Sequence, residues 1–181
     1  MTQGKLKGRK IAVLATDGFE QSELMEPKRL LEEAGAQVTV IAPEGKKEIT
    51  GWSKKDWGDK VRVDQSLDQA NEEGFDALVL PGGVMNPDNL RQLPKAVAFV
   101  KAFGDAGKPI AAICHGPWTL INAGLVDGHK VTSWPSLRKD LENAGATWED
   151  SEVVKDGHLI TSRKPDDIPA FVNAVIQSLA A

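Results

Sequence analysis

The sequence predicts an α/β protein with an open, mostly parallel sheet and helices on both of its faces. Short aliphatic and β-branched runs alternate along the chain with segments of helical periodicity. The run 38–41 is nearly continuously apolar, which is typical of strands buried on both faces of a parallel sheet. Such alternation forms right-handed βαβ units that cover both faces with helices. The length of 181 residues fits one domain, which we expect to span residues 1–181.

The first elements are a strand, a helix and a second strand. Lys10–Ala15 is a short aliphatic strand, and Glu20–Ala34 has leucines at helical spacing before Gly35 ends it. Gln37–Ala42 is the second strand. The segment Pro43–Val63 is rich in Gly, Lys and Asp, so it is interpreted as a hairpin or an irregular excursion at the sheet edge.

The alternation resumes after residue 65 and continues to the end of the chain. Glycine after a helix and proline in its first turn mark several boundaries, and the pair Asp156-Gly157 predicts a tight hairpin turn. The expected elements, in order, are the helix Ser66–Glu73, the strand Asp76–Leu80, the helix Pro94–Ala106, the strand Pro109–Ile113, the helix Pro117–Ala123, the strand Lys130–Ser133, the helix Ser136–Ala144, the strands Glu152–Lys155 and His158–Thr161, and the helix Pro165–Leu179.

Composition excludes several classes of function. A net charge of -4 and a pI near 5.4 provide no field that attracts a polyanion, so nucleic acid is not an expected partner. No apolar run approaches the roughly 20 residues that cross a bilayer. The segment Met1–Lys10 is polar and basic without a secretory pattern, so we expect a cytoplasmic protein with no membrane partner. A single cysteine forms no internal disulfide and no zinc cluster, and neither metal nor cofactor is predicted.

Three motifs are expected to meet at the carboxyl end of the sheet, where loops join helix N-termini. They are Asp17–Glu20 after the first strand, Pro81–Gly83 after the fourth, and Cys114–Pro117 after the strand that ends at Ile113. The lone cysteine therefore lies on a sharp strand-to-helix turn. Such an elbow lifts a nucleophile above the sheet, and the helix N-terminus is expected to lower the pKa of the thiol. The alternative is a buried structural cysteine, which this position disfavours.

The neighbours of Cys114 have both functional and structural interpretations. A protonated Glu20 is expected to donate to the thiolate, although its place at a helix start is also explained by the helix dipole. The N–H groups of Gly83 and His115 are candidate oxyanion donors, or Gly83 serves only the turn. His115 is the candidate base, and its alternative is a surface histidine.

These residues resemble the DJ-1/PfpI superfamily, in particular its PfpI-like branch of bacterial general stress proteins. The resemblance covers essentially the whole chain and depends on several motifs in the same order. They are Ile11–Leu14, Gly18–Glu20 with Glu23-Leu24, Phe75–Gly83, Ile113–Pro117, Thr132-Ser133 and Thr161–Arg163.

The resemblance implies a flavodoxin-like three-layer sandwich and a set of site residues. It implies that Cys114 is the nucleophile, with Glu20 touching its sulfur and His115 as its partner. It further implies that Gly83 and His115 are the oxyanion donors. An acidic residue from a neighbouring subunit completes the site in this branch, and Asp88 occupies the corresponding position here. A homodimer or a higher homo-oligomer is therefore implied.

Two functions follow from a reactive Cys114. The first is a stress-response hydrolase of the deglycase, glyoxalase or peptidase type, which acts on a small dicarbonyl, a glycated compound or a peptide. The second is an oxidative-stress sensor or chaperone, in which Cys114 is oxidised to sulfinic acid without turnover. A third, minor interpretation makes the segment from Trp52 to Trp57 a partner surface.

Overall fold

The structure, a computed structural model, describes residues 3–180. Residues 1, 2 and 181, which the predicted domain also includes, lie outside the described residues. The strands are β1 (Lys10–Leu14), β2 (Phe19–Glu20), β3 (Gln37–Ala42), β4 (Glu48–Ser53), β5 (Asp56–Arg62), β6 (Gln65–Ser66), β7 (Ala77–Leu80), β8 (Ile110–Ile113), β9 (Lys130–Val131), β10 (Thr147–Trp148), β11 (Val154–Asp156) and β12 (Leu159–Ser162).

The helices are α1 (Gln21–Glu33), α2 (Met85–Leu90), α3 (Pro94–Asp105), α4 (Pro117–Asn122), α5 (Arg138–Asn143) and α6 (Ile168–Leu179). Both α3 and α4 begin at a proline, whose fixed φ and missing N–H suit the first turn. No helix among residues 3–180 is both long and apolar enough to cross a bilayer.

The central sheet has seven strands in the order β11-β12-β8-β7-β1-β3-β6. All of its pairings are parallel except that of β11 with β12, which forms the hairpin predicted at Asp156-Gly157. Because β1, β7 and β8 are adjacent, the loops at their carboxyl ends meet above the centre of the sheet. The mostly parallel sheet predicted from the sequence is confirmed.

Two apolar cores lie on opposite faces of this sheet. Along β1, Ile11 and Val13 point into one core while Ala12 and Leu14 point into the other, as the two-residue period of a strand requires. The first core includes apolar side chains of α1 and α6, and the second includes those of α3, α4 and α5. Burial on both faces explains why these strands are continuously apolar.

A smaller sheet lies beside the β1 loop. Strands β4 and β5 form an antiparallel hairpin from the segment predicted as a hairpin or excursion, and β2 pairs with β4 in parallel. Trp52 and Trp57 face each other across the hairpin, with ring centroids 5.4 Å apart. Trp52 also donates its indole N–H to the carbonyl of Lys54. The tryptophans thus contact each other within their own hairpin.

The predicted element order lacks the short strands β2, β6 and β10 and the helix α2, and one of its helices is wrong. The segment Ser66–Glu73 forms two short 3₁₀ turns instead of one helix. The side chains of Ser66 and Asn71 each accept a backbone N–H, so each of these residues caps the start of a separate turn. Helix α2 was not predicted, since six residues are too few to show a helical period. This unpredicted helix follows the Gly82-Gly83 turn directly.

Candidate active site

Cys114 occupies a strained turn between β8 and α4. Its φ is +64°, a left-handed conformation that is uncommon outside glycine. Two backbone hydrogen bonds fix the turn: the Cys114 N–H donates to the Ser162 carbonyl, and the Trp134 N–H donates to the Cys114 carbonyl, both at 3.0 Å. The residue is only 7% exposed. The elbow geometry predicted from the sequence is therefore present.

The glycine turn after β7 packs directly against the cysteine. A Cβ atom on Gly82 would lie 2.7 Å from the Cys114 Cβ and 2.5 Å from a Glu23 carboxylate oxygen, so no larger residue fits. Gly83 has a φ of +79°, which favours glycine independently. The turn uses glycine for close approach as well as for its backbone conformation.

The acidic contact to Cys114 comes from Glu23 and not from Glu20. The fully buried Glu23 carboxyl interacts with the Cys114 thiol, and its Oε1 accepts the Gly82 N–H at 3.0 Å. Its Oε2 is buried without a hydrogen-bond partner. Glu20 precedes α1, is only half-buried and hydrogen-bonds with Ser22. The predicted Glu20 contact is wrong because the first turn of α1 brings the residue three positions later against the sulfur.

Burial controls the protonation of this carboxyl. Desolvation, followed by repulsion from Glu20, raises the pKa of Glu23 to about 8. Glu23 therefore carries a proton at neutral pH and can donate a hydrogen bond towards sulfur. The opposite charge state, an ionised Glu23 beside a thiolate, would bring two negative charges together in a buried site.

The pKa of the Cys114 thiol is raised, although the helix N-terminus is expected to lower it. Burial, followed by repulsion from an ionised Glu23, raises the pKa of Cys114 above its ordinary value. The backbone N–H groups of Gly83 and His115 hydrogen-bond to the sulfur and act in the opposite direction. The pair of Cys114 and Glu23 therefore loses its first proton only near pH 8, and losing the second one is much more costly.

His115 is in direct contact with Cys114. Its Nδ1 lies 3.2 Å from the Cys114 Sγ, within reach for proton transfer. Burial lowers the pKa of His115, which keeps the imidazole neutral and able to accept a proton at neutral pH. The ring lies between Trp118, edge-on at 5.1 Å, and Trp134, stacked at 6.0 Å between centroids. The histidine is thus held by aromatic neighbours and is not a free surface side chain.

Asp88 lies apart from this cluster. It is exposed on α2, and within residues 3–180 its carboxylate makes no hydrogen bond or ion pair. Val84 and Met85, at the start of the same helix, are 55% and 37% exposed. Within that same part of the chain, no group of three or more His, Cys, Asp or Glu side chains is arranged to hold a metal ion.

The structure adds two residues that sequence reasoning missed. Glu23 shares the core-facing side of α1 with Leu24, Pro27 and Leu31, and a carboxylate within such an apolar stripe is a signal that could have identified it. Asn86 is fully buried beneath the Gly82-Gly83 turn. No local pattern in the sequence marks Asn86, because its importance depends on the loop that α2 brings it against.

Comparison with known proteins gives close relatives over most of the chain. General stress protein 18 of Bacillus subtilis (strain 168) is 50% identical over 165 residues, which cover 91% of this chain and 94% of that protein. Protein/nucleic acid deglycase 2 of Escherichia coli (strain K12) is 43% identical over 174 residues, covering 96% of this chain and 99% of that protein.

Structural comparison supports the flavodoxin-like fold. A two-domain protein from Anabaena variabilis ATCC 29413, containing DJ-1/ThiJ/PfpI-like and ferritin-like domains, matches with a TM-score of 0.89 and 37% identity. The match covers 94% of this chain and 48% of that longer chain. A sequence model of the DJ-1/PfpI family matches residues 9–178. The chain belongs to the DJ-1/PfpI family, as its motifs predicted.

Proposed function

We propose that this protein is a cysteine-dependent hydrolase that acts on carbonyl compounds, of the deglycase or glyoxalase type. The observation that carries the proposal is the 3.2 Å contact between the Cys114 Sγ and the His115 Nδ1, beside a carboxyl that burial keeps protonated. A neutral base, a thiol and fixed donors within one dry turn are what nucleophilic attack on a carbonyl requires.

The first chemical step is the formation of a hemithioacetal. His115 Nδ1 takes the thiol proton, and protonated Glu23 with the two backbone N–H groups stabilises the resulting thiolate. The sulfur then bonds to the carbonyl carbon of a dicarbonyl or of its early adduct with an amine, while the carbonyl π electrons move to oxygen. The N–H groups of Gly83 and His115 hold this oxyanion until His115 returns the proton.

The names of relatives support the choice of substrate. One relative is named a protein/nucleic acid deglycase, and another, from Pyrococcus furiosus, is named deglycase PfpI. Glycated or dicarbonyl compounds are therefore the first substrates to test, and a peptide is the next. We place this activity in the cytoplasm, where thiols remain reduced.

The proposed enzyme is a homodimer or a higher homo-oligomer. Asp88 extends from a helix whose first residues, Val84 and Met85, are exposed and apolar, as expected where another subunit packs. In this arrangement Asp88 of the partner subunit approaches His115 and stabilises its protonated form. A monomer in solution, or unchanged activity in Asp88→Asn, would remove this part of the proposal.

Substitution of the nucleophile tests the proposed activity. Cys114→Ser keeps the shape of the turn but replaces the thiol with a far weaker nucleophile, so turnover of methylglyoxal and of early glycated amines is expected to fall to background. Peptide hydrolysis is measured in parallel. His129→Gln, a change at a distant histidine, is the control and is expected to retain full activity. Equal turnover by wild type and Cys114→Ser would reject the proposal.

A specific observation also favours the second function, a sensor based on sulfinic acid. The Oε2 of Glu23 is buried without a hydrogen-bond partner, and the Glu23 carboxyl interacts with the Cys114 thiol, so a protonated Glu23 can donate to a sulfinate oxygen. Mild peroxide treatment followed by mass spectrometry is expected to add two oxygens at Cys114 in wild type. Glu23→Leu should lose this selectivity and Glu20→Leu should retain it. Loss of this selectivity in Glu20→Leu, with its retention in Glu23→Leu, would instead favour the predicted contact between Glu20 and the sulfur.

A further inference from the structure

We infer that Asn86 is a positioning residue that sets the donor strength of the Gly82-Gly83 turn towards Glu23 and Cys114. The inference deepens the proposed function, because it concerns the same thiol. It is tested through the thiol itself and not through turnover, so either can fail without the other.

Asn86 is a fully buried side chain whose hydrogen-bonding groups are all used. Its Oδ1 accepts the backbone N–H of Thr16 at 2.8 Å. Its Nδ2 donates to the carbonyls of Pro81 and Gly82, each at 3.1 Å. A backbone N–H can only donate and a carbonyl can only accept, so these partners fix the orientation of the amide.

The two carbonyls that accept from Asn86 belong to the two peptide groups whose N–H groups face the active site. The carbonyl of Pro81 shares its peptide group with the N–H of Gly82, which donates to the Glu23 Oε1 at 3.0 Å. The carbonyl of Gly82 shares its peptide group with the N–H of Gly83, which hydrogen-bonds to the Cys114 sulfur. One side-chain amide therefore contacts the far end of both donor peptides.

A hydrogen bond accepted by a peptide carbonyl polarises the N–H of the same peptide and strengthens the bond that it donates. Asn86 thus increases the donor strength of Gly82 towards Glu23 and of Gly83 towards sulfur. Both bonds favour the negatively charged form of their acceptor. The single negative charge of the Glu23 and Cys114 pair is consequently more stable with Asn86 in place.

Asn86 also joins the loops that form the site. Thr16 follows β1, whereas Pro81 and Gly82 follow β7, so the side chain connects the carboxyl ends of adjacent strands. The Gly82 carbonyl accepts a second hydrogen bond, from the Glu20 N–H at 3.2 Å. Asn86 and the backbone before α1 therefore hold the same peptide plane from two directions.

The test is the pH dependence of Cys114 alkylation by iodoacetamide in Asn86→Ala. Losing the polarising donor makes the thiolate less stable, so the alkylation profile should move to higher pH and the rate at pH 7 should fall about twofold. Phe103→Leu, a core change on α3 away from the site, controls for loss of stability alone and should leave the profile unchanged. A folded Asn86→Ala protein with a wild-type profile would overturn the inference.

A second variant and a wild-type measurement cover the case in which Asn86→Ala does not fold. Asn86→Asp keeps the shape and, when protonated, supplies one donor instead of two, so a smaller shift in the same direction is expected. In the wild-type protein, NMR scalar couplings should connect the Asn86 side-chain nitrogen with the carbonyl carbons of Pro81 and Gly82. Absence of both couplings would overturn the inference without any substitution.

Discussion

The two ends of the central sheet place carboxylates beside histidine or cysteine side chains, yet they hold them in opposite states. At the carboxyl end, burial raises the pKa of Glu23 to about 8. At the amino end, hydrogen bonding from the Lys130 N–H, followed by the charge of His129, lowers the pKa of Asp156. The Asp156 side chain is 36% exposed and lies 3.3 Å from the His129 Nδ1.

This difference shows that residue type alone does not define a reactive site. The amino-end carboxylate, Asp156, is solvated and keeps its charge, so it is an ordinary surface carboxylate beside a histidine. Glu23, at the carboxyl end of the sheet, is desolvated and neutral, and one of its oxygens has no hydrogen-bond partner. It lies beside Cys114, whose backbone conformation is strained. Burial and strain distinguish the carboxyl end, where we propose that the reaction takes place, from the amino end.

The largest effect is expected in turnover, which should depend on His115 at one end of the sheet and not on His129 at the other. His115→Asn removes the base next to Cys114, so carbonyl turnover should fall about 100-fold or more. His129→Asn should leave turnover unchanged, because that ring lies at the far end of the sheet. Steady-state kinetics on one dicarbonyl substrate make the comparison, and equal losses in the two variants would show that the ends do not differ as described.

The next effect is the dependence of stability on pH. Glu23 has a folded-state pKa of about 8 against 4.5 for the ordinary group, so the native state binds the extra proton between these values. Its contribution is complete below the lower value and is lost as pH rises towards the higher one. The free energy of unfolding should therefore fall by about 1.4 kcal/mol per pH unit in this window, an upper limit for one group.

Glu23→Gln should remove this slope, because an amide does not titrate. Glu20→Gln is the matched control on the same segment and should retain most of the slope. Urea unfolding at several pH values gives both curves. A slope that persists in Glu23→Gln would show that another group holds the proton.

The smallest effect concerns the amino end. The pKa of Asp156 is lowered in the folded protein, so its contribution is present above its ordinary value of 3.8 and is lost as pH falls below it. Asp156→Asn should consequently change stability only slightly at pH 7 and reduce the loss of stability in acid. Thermal unfolding of wild type and Asp156→Asn at pH 3 and pH 7 measures the stability at neutral pH and its loss in acid. Slower alkylation of Cys114 in this variant would link the two ends, contrary to expectation.

The sequence predicts the fold and the strand-to-helix turn at Cys114 well, because both depend on local patterns. Apolar strands alternating with helices specify the sheet, and the junction before Pro117 places Cys114 on its turn. Desolvation has no such local pattern. The pKa of Cys114 was predicted to be lowered and is raised, and the acidic contact was assigned to Glu20 when Glu23 makes it. Both errors concern how α1 and β7 pack around the sulfur.

Asp88 and Asn86 illustrate two further limits. The role of Asp88 depends on a second subunit, so one chain leaves it a prediction. Asn86 acts through the carbonyls of a loop that precedes it by only a few residues, within a helix too short to be recognised from periodicity.

Glu23 is a protonated carboxylic acid beside Cys114 at neutral pH. Infrared difference spectroscopy across a pH titration measures this directly through the carbonyl stretch of a protonated carboxyl. We expect this band in wild type and in Glu20→Gln at pH 7, its loss as pH rises through about 8, and its absence in Glu23→Gln. A wild-type spectrum at pH 7 without the band would show that Glu23 is ionised, and a band that persists in Glu23→Gln would show that another group holds the proton.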